Sequence, residues 1–446
     1  MRRWILVCLT CALAFGQTVE ESFTRDPGPL DLILGEGYEQ SILQALTADA
    51  LVGLDVRGRP VPRLAERWEV FSWGLRLHLR GARFADGSPV RGADVDWTFR
   101  QIQSRKDASP SKRALLAGLT LALDGSRLEV RSKRPAARLL AELARIPIAK
   151  EGSPAVGSGP YTLNRSGAEW TFRAREHFLQ PKIPSFHFRL VPEPQAILQS
   201  LQKGWLSLGV PPPRATTTIP ASHREVVQST HAQLVVWCKG ANEPLRWMER
   251  WRRDAFPPAL LADSASPSRG LWPESLGFPP MALAGGPPRA REQRWELLHI
   301  AGDEFVTRIL LALRERARRD GVTLDLRPID PALLYDRLLK GEFQLACALA
   351  LFDPHPWAVL EYLEPTGPMN FSGWSHPALN GLLPKLKAPG DAAWKDLQGL
   401  WSRSAAALPI LDYRSVVWVD RRLRVDPSPL GLYLTTPGPS GWSWTK

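Results

Sequence analysis

Few residues in this chain have the spacing that catalysis or metal binding requires. Gly157-Ser158-Gly159 sets a serine between two glycines, but the G-x-S-x-G pattern that presents a nucleophilic serine is absent. Eight histidines are spread along the chain without the H-E-x-x-H spacing of a zinc site. Glu361 and Glu364 could pair as acid and base, but their spacing is more typical of a solvated helix face. These patterns favour a protein that is not an enzyme and that has no cofactor.

Aromatic and polar side chains near the ends of predicted strands are better candidates for ligand contacts. A cleft that binds small molecules is lined mainly by apolar and aromatic side chains with a few polar anchors, and 18 Trp are many for this length. Seven residues are expected to line a cleft between two lobes: Tyr38, Trp237, Asn242, Asp353, Trp357, Asn370 and Phe371. For any one Trp, packing in the core is an equally good interpretation. For Asp353, capping the turn before Pro354 is the better one.

Three arginines, Arg246, Arg252 and Arg253, offer a different kind of site. Guanidinium groups bind carboxylate and phosphate groups well. A solvated surface is the simpler interpretation of these three side chains.

Strands and helices that alternate along the chain must position these candidates. Leu75, Leu77 and Leu79 alternate with polar residues and predict a half-buried strand. Val95 and Phe99 share a face of the helix that follows. The same signals, with proline near helix starts and glycine past helix ends, predict strands over 128–131, 186–190, 205–210, 295–301, 322–326 and 343–351, and helices over 193–203, 303–319 and 331–340.

These strand–helix–strand units predict parallel pairing with right-handed crossovers. One unit lies near residues 185–210 and two more lie in 295–351, whereas the segment 211–288 is rich in proline and is predicted to be irregular. Tyr38 follows Gly35-Glu36-Gly37, which we expect at the end of the first strand.

Composition fits a soluble globular protein of more than one folding unit. The chain has 446 residues, 44% hydrophobic and 23% charged, too many for one ordinary core. Its formal charge is +12, but the basic residues are scattered without a long Lys/Arg run. This pattern predicts a solvated basic surface and no nucleic-acid partner.

The N-terminus has the layout of a secretory signal. Met1-Arg2-Arg3 precedes an apolar stretch from Trp4 to Leu13, and Ala14-Phe15-Gly16 supplies small residues for cleavage. Export to the periplasm or another extracytoplasmic location follows. A lipid anchor at Cys11 is the less favoured alternative, because the residues before it fit a lipobox poorly.

The two cysteines of the mature chain are Cys238 and Cys347, which lie in apolar runs typical of strands. A disulfide is permitted outside the cytoplasm. Two buried free thiols are the favoured interpretation.

Three ordered blocks resemble a known family. The first is Pro62-Arg63-Leu64-Ala65-Glu66-Arg67-Trp68 with GLRLHLRGARFADGSPVRGADVDWTF over 74–99, and the second is VGSGPY over 156–161. The third joins Gly341-Glu342-Phe343, Asp353-Pro354, Asn370-Phe371 and Leu408-Pro409-Ile410. The chain resembles the extracytoplasmic solute-binding proteins of ABC importers in the dipeptide/oligopeptide/nickel-binding class, family 5.

This resemblance implies an α/β, two-lobed periplasmic-binding-protein-like fold with an extra small sheet-rich domain inserted in the first lobe. The expected organisation is a signal peptide over 1–16, lobe I over 17–46 and 155–238, the inserted domain over 47–154, lobe II over 239–412 and a return to lobe I over 413–446.

The resemblance also implies a function. A small solute, peptide-like by preference, would be captured in the interlobe cleft by hinge closure, and a monomer would deliver it to the membrane subunits of an ABC importer. Peptide-binding members carry an acidic residue where this chain has Ala350. Two alternatives within the family stay open: a binder of a metal chelate or haem-like cofactor, and a degenerate member that acts as a sensor or envelope interaction protein.

Overall fold

The chain folds into two compact units of mixed α/β structure, and the predicted fold class is confirmed. The computed structural model describes residues 18–35, 37–212, 218–240, 242–261, 264–285, 293–352, 355–387, 391–426, 433 and 438–445. The first unit contains Met1–Val227 and Val416–Lys446, and the second contains Gln228–Ser415. The chain therefore enters and leaves the second unit inside two long strands, His223–Cys238 and Ala407–Asp420.

A four-stranded sheet forms part of the first unit. Its strands are β1 (Thr18–Phe23), β8 (Tyr161–Ser166), β9 (Glu169–Ala174) and β10 (Ser185–Leu190), in the order β1-β10-β9-β8. β1 and β10 are parallel and the other neighbours are antiparallel. Helix α1 (Tyr38–Thr47) adds apolar side chains to the hydrophobic core of this sheet.

Residues 47–154 carry a sheet and a hydrophobic core of their own. Strands β2 (Val52–Leu54) and β3 (Pro60–Pro62) form a hairpin. An antiparallel sheet follows in the order β4-β5-β7-β6, with β4 (Ala65–Phe71), β5 (Gly74–Leu79), β6 (Thr120–Asp124) and β7 (Arg127–Arg131). The helices are α2 (Gly92–Ser104), α3 (Pro110–Leu116) and α4 (Ala136–Leu143). The predicted strands at 75–79 and 128–131 and the helix after 94 are confirmed.

The parallel pair predicted within 185–210 is wrong. Helix α5 (Pro194–Gln202) forms as expected, but the strand after it, β11, contains only Leu208–Gly209. β10 is already paired on both sides, by β1 and β9, so it has no free edge for β11. β11 instead pairs antiparallel with β17 (Ala407–Asp420), through Val419.

The second unit contains a larger sheet in the order β17-β12-β16-β14-β15, with β13 beside β17. Its further strands are β12 (His223–Cys238), β13 (Ala265–Pro267), β14 (Gln293–Ile300), β15 (Val322–Ile329) and β16 (Leu345–Leu351). β14 pairs in parallel with both β15 and β16, as the spacing within 295–351 predicts.

Helices of the second unit begin where the sequence places capping or proline signals. Asp303 caps α8 (Glu304–Arg319) by accepting a bond from the Val306 amide, and Asp330 caps α9 (Pro331–Lys340). The remaining α-helices are α6 (Glu243–Asp254), α7 (Pro258–Leu261), α10 (Leu360–Leu363), α11 (Leu379–Leu382) and α12 (Ala392–Ser404). Short 3-10 helices cover Glu274–Leu276, Pro356–Val359 and Leu383–Lys385 here and Gly438–Gly441 in the first unit, where β18 (Leu423–Arg424) pairs with β19 (Ser443–Trp444).

The segment 211–288 is more regular than predicted. It contains the whole of β12 and α6. Pro244 lies in the first turn of α6, where its missing amide hydrogen costs nothing, so this proline starts a helix rather than interrupting one.

Across the described ranges, no helix combines the length and the apolar run that crossing a bilayer demands. The predicted signal segment, with Cys8 and Cys11, lies outside those ranges.

Candidate functional site

Trp237 and Phe371, two of the predicted ligand-binding residues, are in contact with each other. Trp237 lies near the end of β12 and is 1% exposed. Its ring meets Phe371 edge-on at 5.4 Å between centroids and stacks on Tyr362 at 6.3 Å. Tyr335 of α9 meets the other side of Phe371 at 6.0 Å. This aromatic cluster is packed within the second unit.

Asn370 organises the loop that presents Phe371. Its amide nitrogen donates to the main-chain oxygens of Glu364 at 3.0 Å and Trp374 at 2.7 Å. Its amide oxygen accepts from the Trp374 amide at 3.0 Å and from the Ser372 hydroxyl at 3.2 Å. The side chain of Asn370 therefore already has partners for both of its polar atoms.

Trp357 belongs to a second aromatic cluster of the same unit. It lies in the 3-10 helix Pro356–Val359 and is buried. Its ring centroid is 5.4 Å from that of Trp394 in α12, and Trp394 in turn meets Trp272 and Phe278 edge-on. Core packing accounts for these contacts of Trp357.

The structure describes Asn242 but not Asp353. Asn242 immediately precedes α6, and its side-chain amide donates to the main-chain oxygen of Arg403 at 3.4 Å. Asp353 and Pro354 lie outside the described residues, so the predicted role of Asp353 stays a prediction.

Tyr38 has the most accessible surface, 52%, among the predicted residues that the structure describes. It does not follow the first strand, as the sequence suggested, because β1 ends at Phe23 and Tyr38 is the first residue of α1. Gly37 precedes it with a φ of 94°, a left-handed conformation that favours glycine. Part of the Tyr38 side chain is therefore exposed at the start of a helix, whereas burial of its hydroxyl raises the pKa of that group.

Two exposed leucines at the end of β16 were not among the predicted site residues. Leu349 and Leu351 are 49% and 64% exposed, whereas Ala350 between them is fully buried and lies opposite Gln233 of β12. The alternation of the strand determines this, since neighbouring side chains point to opposite faces. Because Leu349, Ala350 and Leu351 are all apolar, their sequence predicts a buried strand and does not distinguish the two exposed leucines.

Ser158 has a structural role in a buried polar cluster of the first unit. Its hydroxyl donates to Asp49 at 3.4 Å, and the same carboxylate meets Arg63 at 2.6 Å and His177 at 2.8 Å. Burial acts to raise the pKa of Asp49, but the Arg63 charge and the His177 and Ser158 hydrogen bonds outweigh it and hold that pKa below its ordinary value. Asp49 is the residue that the sequence analysis missed, because nothing near it in sequence identifies its partners.

Arg252 is buried, so a solvated surface is the wrong interpretation for this arginine. It pairs with Glu249 at 2.7 Å and donates to the main-chain oxygens of Gly270 and Pro409. Its charge is therefore satisfied within the second unit.

The two cysteines are buried free thiols, as favoured from the sequence. Burial raises the pKa of Cys238 to about 12. Within the described part of the chain, no group of three or more His, Cys, Asp or Glu side chains is placed to hold a metal ion.

Comparison with known proteins identifies relatives of one kind. Residues 59–243 match the profile of a family described as "Bacterial extracellular solute-binding proteins, family 5 Middle". The chain is 30% identical over 129 residues to the periplasmic oligopeptide-binding protein OppA of Salmonella typhimurium. It is 34% identical over 91 residues to the probable deoxycholate-binding periplasmic protein YgiS of Escherichia coli.

These two alignments cover 28% and 19% of this chain and only 23% and 16% of the relatives' own lengths. A solved structure matches over far more of the chain. The oligopeptide-binding protein AppA of Bacillus subtilis, solved in complex with a nonapeptide, superposes with a TM-score of 0.77 at 12% identity. That superposition covers 96% of this chain and 99% of AppA, and it establishes the two-lobed fold of periplasmic binding proteins.

The matched segment contains the first two sequence blocks in full, and the fold agrees with them over the rest of the chain. Residues 59–243 of this chain therefore match family 5 of the bacterial extracellular solute-binding proteins.

Proposed function

We propose that this protein captures a small, peptide-like solute outside the cytoplasm and delivers it to the membrane subunits of an ABC importer. The observation that carries the proposal is the agreement of the fold, over 96% of the chain, with a protein that was solved holding a nonapeptide. The similarity to an oligopeptide-binding protein supports the same solute class.

The end of β16 supports a ligand that does not depend on an anchored amino terminus. The position at which peptide-binding relatives carry an acid holds Ala350, whose side chain is buried and apolar. Leu349 and Leu351 beside it expose apolar surface instead. We infer a solute bound mainly through apolar contacts and main-chain hydrogen bonds, such as a short apolar peptide or a derivative without a free amine. The name of YgiS, a probable deoxycholate-binding protein, is consistent with a solute that has no free amine.

The proposed ligand contacts are those predicted from the sequence: Tyr38, Trp237, Asn242, Asp353, Trp357, Asn370 and Phe371. Tyr38 is the strongest of them because 52% of its surface is accessible. Trp237, Trp357 and Phe371 would meet a ligand only at the edges of the packed clusters to which they belong.

The decisive experiment is native mass spectrometry of the purified protein, followed by thermal unfolding with a solute panel. The panel contains short peptides with free and with acetylated amino termini, and deoxycholate. A bound solute at 100 times its dissociation constant stabilises the fold by about 2.7 kcal/mol. We expect acetylated apolar peptides to raise Tm more than their free-amine counterparts. A small-angle scattering measurement with and without the best solute tests the predicted hinge closure.

Asn370→Ala separates binding from folding at this site. Loss of four hydrogen bonds to neighbouring loop residues is expected to lower the free energy of unfolding by about 1 to 3 kcal/mol. Asn380→Ala, at an exposed position of α11, is the matched control. Unchanged stability with lost solute binding would instead make Asn370 a direct ligand contact.

Two outcomes would contradict the proposed solute class. Co-purification of metal or a coloured chelate would identify a chelate binder. No thermal shift with any solute, and no co-purified molecule, would favour a sensor or envelope interaction protein.

A further inference from the structure

A surface groove of the second unit is lined by basic side chains that are not among the proposed ligand contacts. It has a volume of about 580 Å³ and is lined by residues of α11, the 3-10 helix Leu383–Lys385 and α12. Lys385, Lys395 and Arg403 line it, and Asp396 is the one acidic side chain among its lining residues. The groove therefore has an excess of positive charge in a concave site.

Two of these cations lie on one face of α12. Lys395, Gly399 and Arg403 are spaced four residues apart, which places them in one row with the two cations about 12 Å apart along the axis. Gly399 contributes no side chain between them. The Arg403 Nη1 atom lies 3.5 Å from where a Cβ on Gly399 would be, so this guanidinium extends back toward Lys395.

Neutralising partners are lacking within the described residues. The carboxylate–cation pairs found there include neither Lys385, Lys395 nor Arg403. The main-chain oxygen of Arg403 accepts a hydrogen bond from the Asn242 side chain. The Arg403 guanidinium takes no part in that contact. Three cations without a carboxylate partner therefore line one groove, and a bound anion would be attracted by each of them.

We propose that this groove binds a phosphoryl group, carried by a soluble phosphorylated small molecule or by a phospholipid headgroup. A single carboxylate would leave two of the three cations without a partner, whereas a phosphate or diphosphate carries enough charge and oxygens for all of them. Arginine binds two phosphate oxygens through its planar fork, and lysine acts as a point charge beside it.

Calorimetric titration of the full chain with inorganic pyrophosphate at low ionic strength tests the proposal. We expect saturable binding that Lys395→Gln and Arg403→Gln each weaken about fivefold, the effect of removing one close charge in water. Lys387→Gln is the matched control, because Lys387 is exposed nearby but does not line the groove. Its affinity should stay within twofold of the unmodified protein.

Sedimentation with vesicles distinguishes the two sources of the phosphoryl group. Binding to phosphatidylcholine vesicles that contain phosphatidylglycerol, weakened by Arg403→Gln, supports a headgroup; pyrophosphate binding without vesicle binding supports a soluble ligand. No saturable binding in either assay overturns the proposal. So does an equal loss of affinity in Lys387→Gln, which would reflect surface charge alone. Solute-induced thermal shifts should persist in all these variants, so the two proposals fail independently.

Discussion

At the scale of single residues, buried charges show where the fold depends on one side chain. Asp49 is completely buried, and it binds Arg63, His177 and Ser158 through its two oxygens. Because folding lowers its pKa, its ionised form stabilises the native state at neutral pH. That contribution is lost as the pH falls below the unfolded-state pKa of about 3.9 and through the folded-state value.

Asp49→Ala should be strongly destabilising, because Arg63 and His177 would lose their buried partner. We expect the free energy of unfolding to fall by about 3 to 5 kcal/mol, measured by urea denaturation at pH 7. Asp336→Ala is the control: its pair with Lys340 is exposed on α9, and its loss should cost less than about 1 kcal/mol. If both variants lower the free energy of unfolding equally, the buried Asp49 cluster stabilises the fold no more than a surface ion pair does.

Glu21 has the opposite dependence on pH. Burial raises its pKa well above the ordinary value, and the Tyr433 hydroxyl donates a hydrogen bond to its carboxyl group. A raised folded-state pKa means that stability is complete below the unfolded-state pKa, about 4.3, and is lost as the pH rises through the folded-state value.

Glu21→Gln should therefore become more stable than the unmodified protein as the pH increases from 5 to 9. The stability curves from urea denaturation should diverge by at most about 1.4 kcal/mol per pH unit, the limit for one titrating proton. Glu39→Gln, in the first turn of α1, serves as the control and should follow the unmodified curve. Parallel curves for Glu21→Gln would rule out its titration in this range.

At the scale of elements, the VGSGPY segment shows why a motif need not touch ligand. Gly157 and Gly159 pass against the end of α1: a Cβ on Gly159 would lie 2.4 Å from the Ala48 nitrogen, and one on Gly157 would lie 2.3 Å from the Thr47 oxygen. The glycines let the chain re-enter the β1 sheet at van der Waals distance from the helix.

Gly159→Ala is expected to destabilise the first unit by about 1 to 3 kcal/mol or more, because the clash is with main-chain atoms that cannot rotate away. Gly81→Ala is the control, since no atom lies within 4 Å of the added carbon. Thermal unfolding of both variants compares them directly. If the two variants have the same Tm, the chain at Gly159 can move away from the end of α1 and the contact between them is not rigid.

The sequence predicted the positions of helices and strands better than the pairing of the strands. The hydrophobic pattern located α5, α8, α9, β14, β15 and β16: each of the three helices buries a single face, whereas β14 and β16 each bury three consecutive residues. It overextended β11, where Trp205 remains exposed. It also paired β11 with β10, because strand order depends on contacts far apart in sequence. Site residues were least predictable: an aromatic such as Trp357 has the same local signal in a core as in a binding site.

At the scale of the whole molecule, charge is distributed unevenly. Residues 47–154 carry 20 Lys and Arg against 12 Asp and Glu, whereas residues 228–415 carry 22 against 21. Nearly all of the excess charge outside the termini therefore lies in the first unit, and much of it in the segment with its own sheet and core.

Cation-exchange chromatography tests this asymmetry. Replacing four exposed cations of residues 47–154 by Gln should lower the salt concentration of elution more than replacing four in the second unit, because neighbouring charges reinforce one another within a Debye length of about 10 Å. The first set is Arg57, Arg91, Lys106 and Lys133, and the second is Arg250, Arg314, Lys387 and Lys395. Equal shifts would show that the protein meets the resin in no preferred orientation.

The burial of both thiols has a practical consequence for reporting on ligand capture. Cys238 and Cys347 are buried, and burial raises the pKa of both thiols, so they stay protonated. Maleimide dyes should therefore not react with them in the native protein. Once the predicted signal segment with Cys8 and Cys11 is removed, a cysteine in place of Tyr38, at the start of α1, would accept a single fluorophore. Without that N-terminal segment, the natural sequence thus needs no removal of its buried cysteines before it is labelled as an optical biosensor.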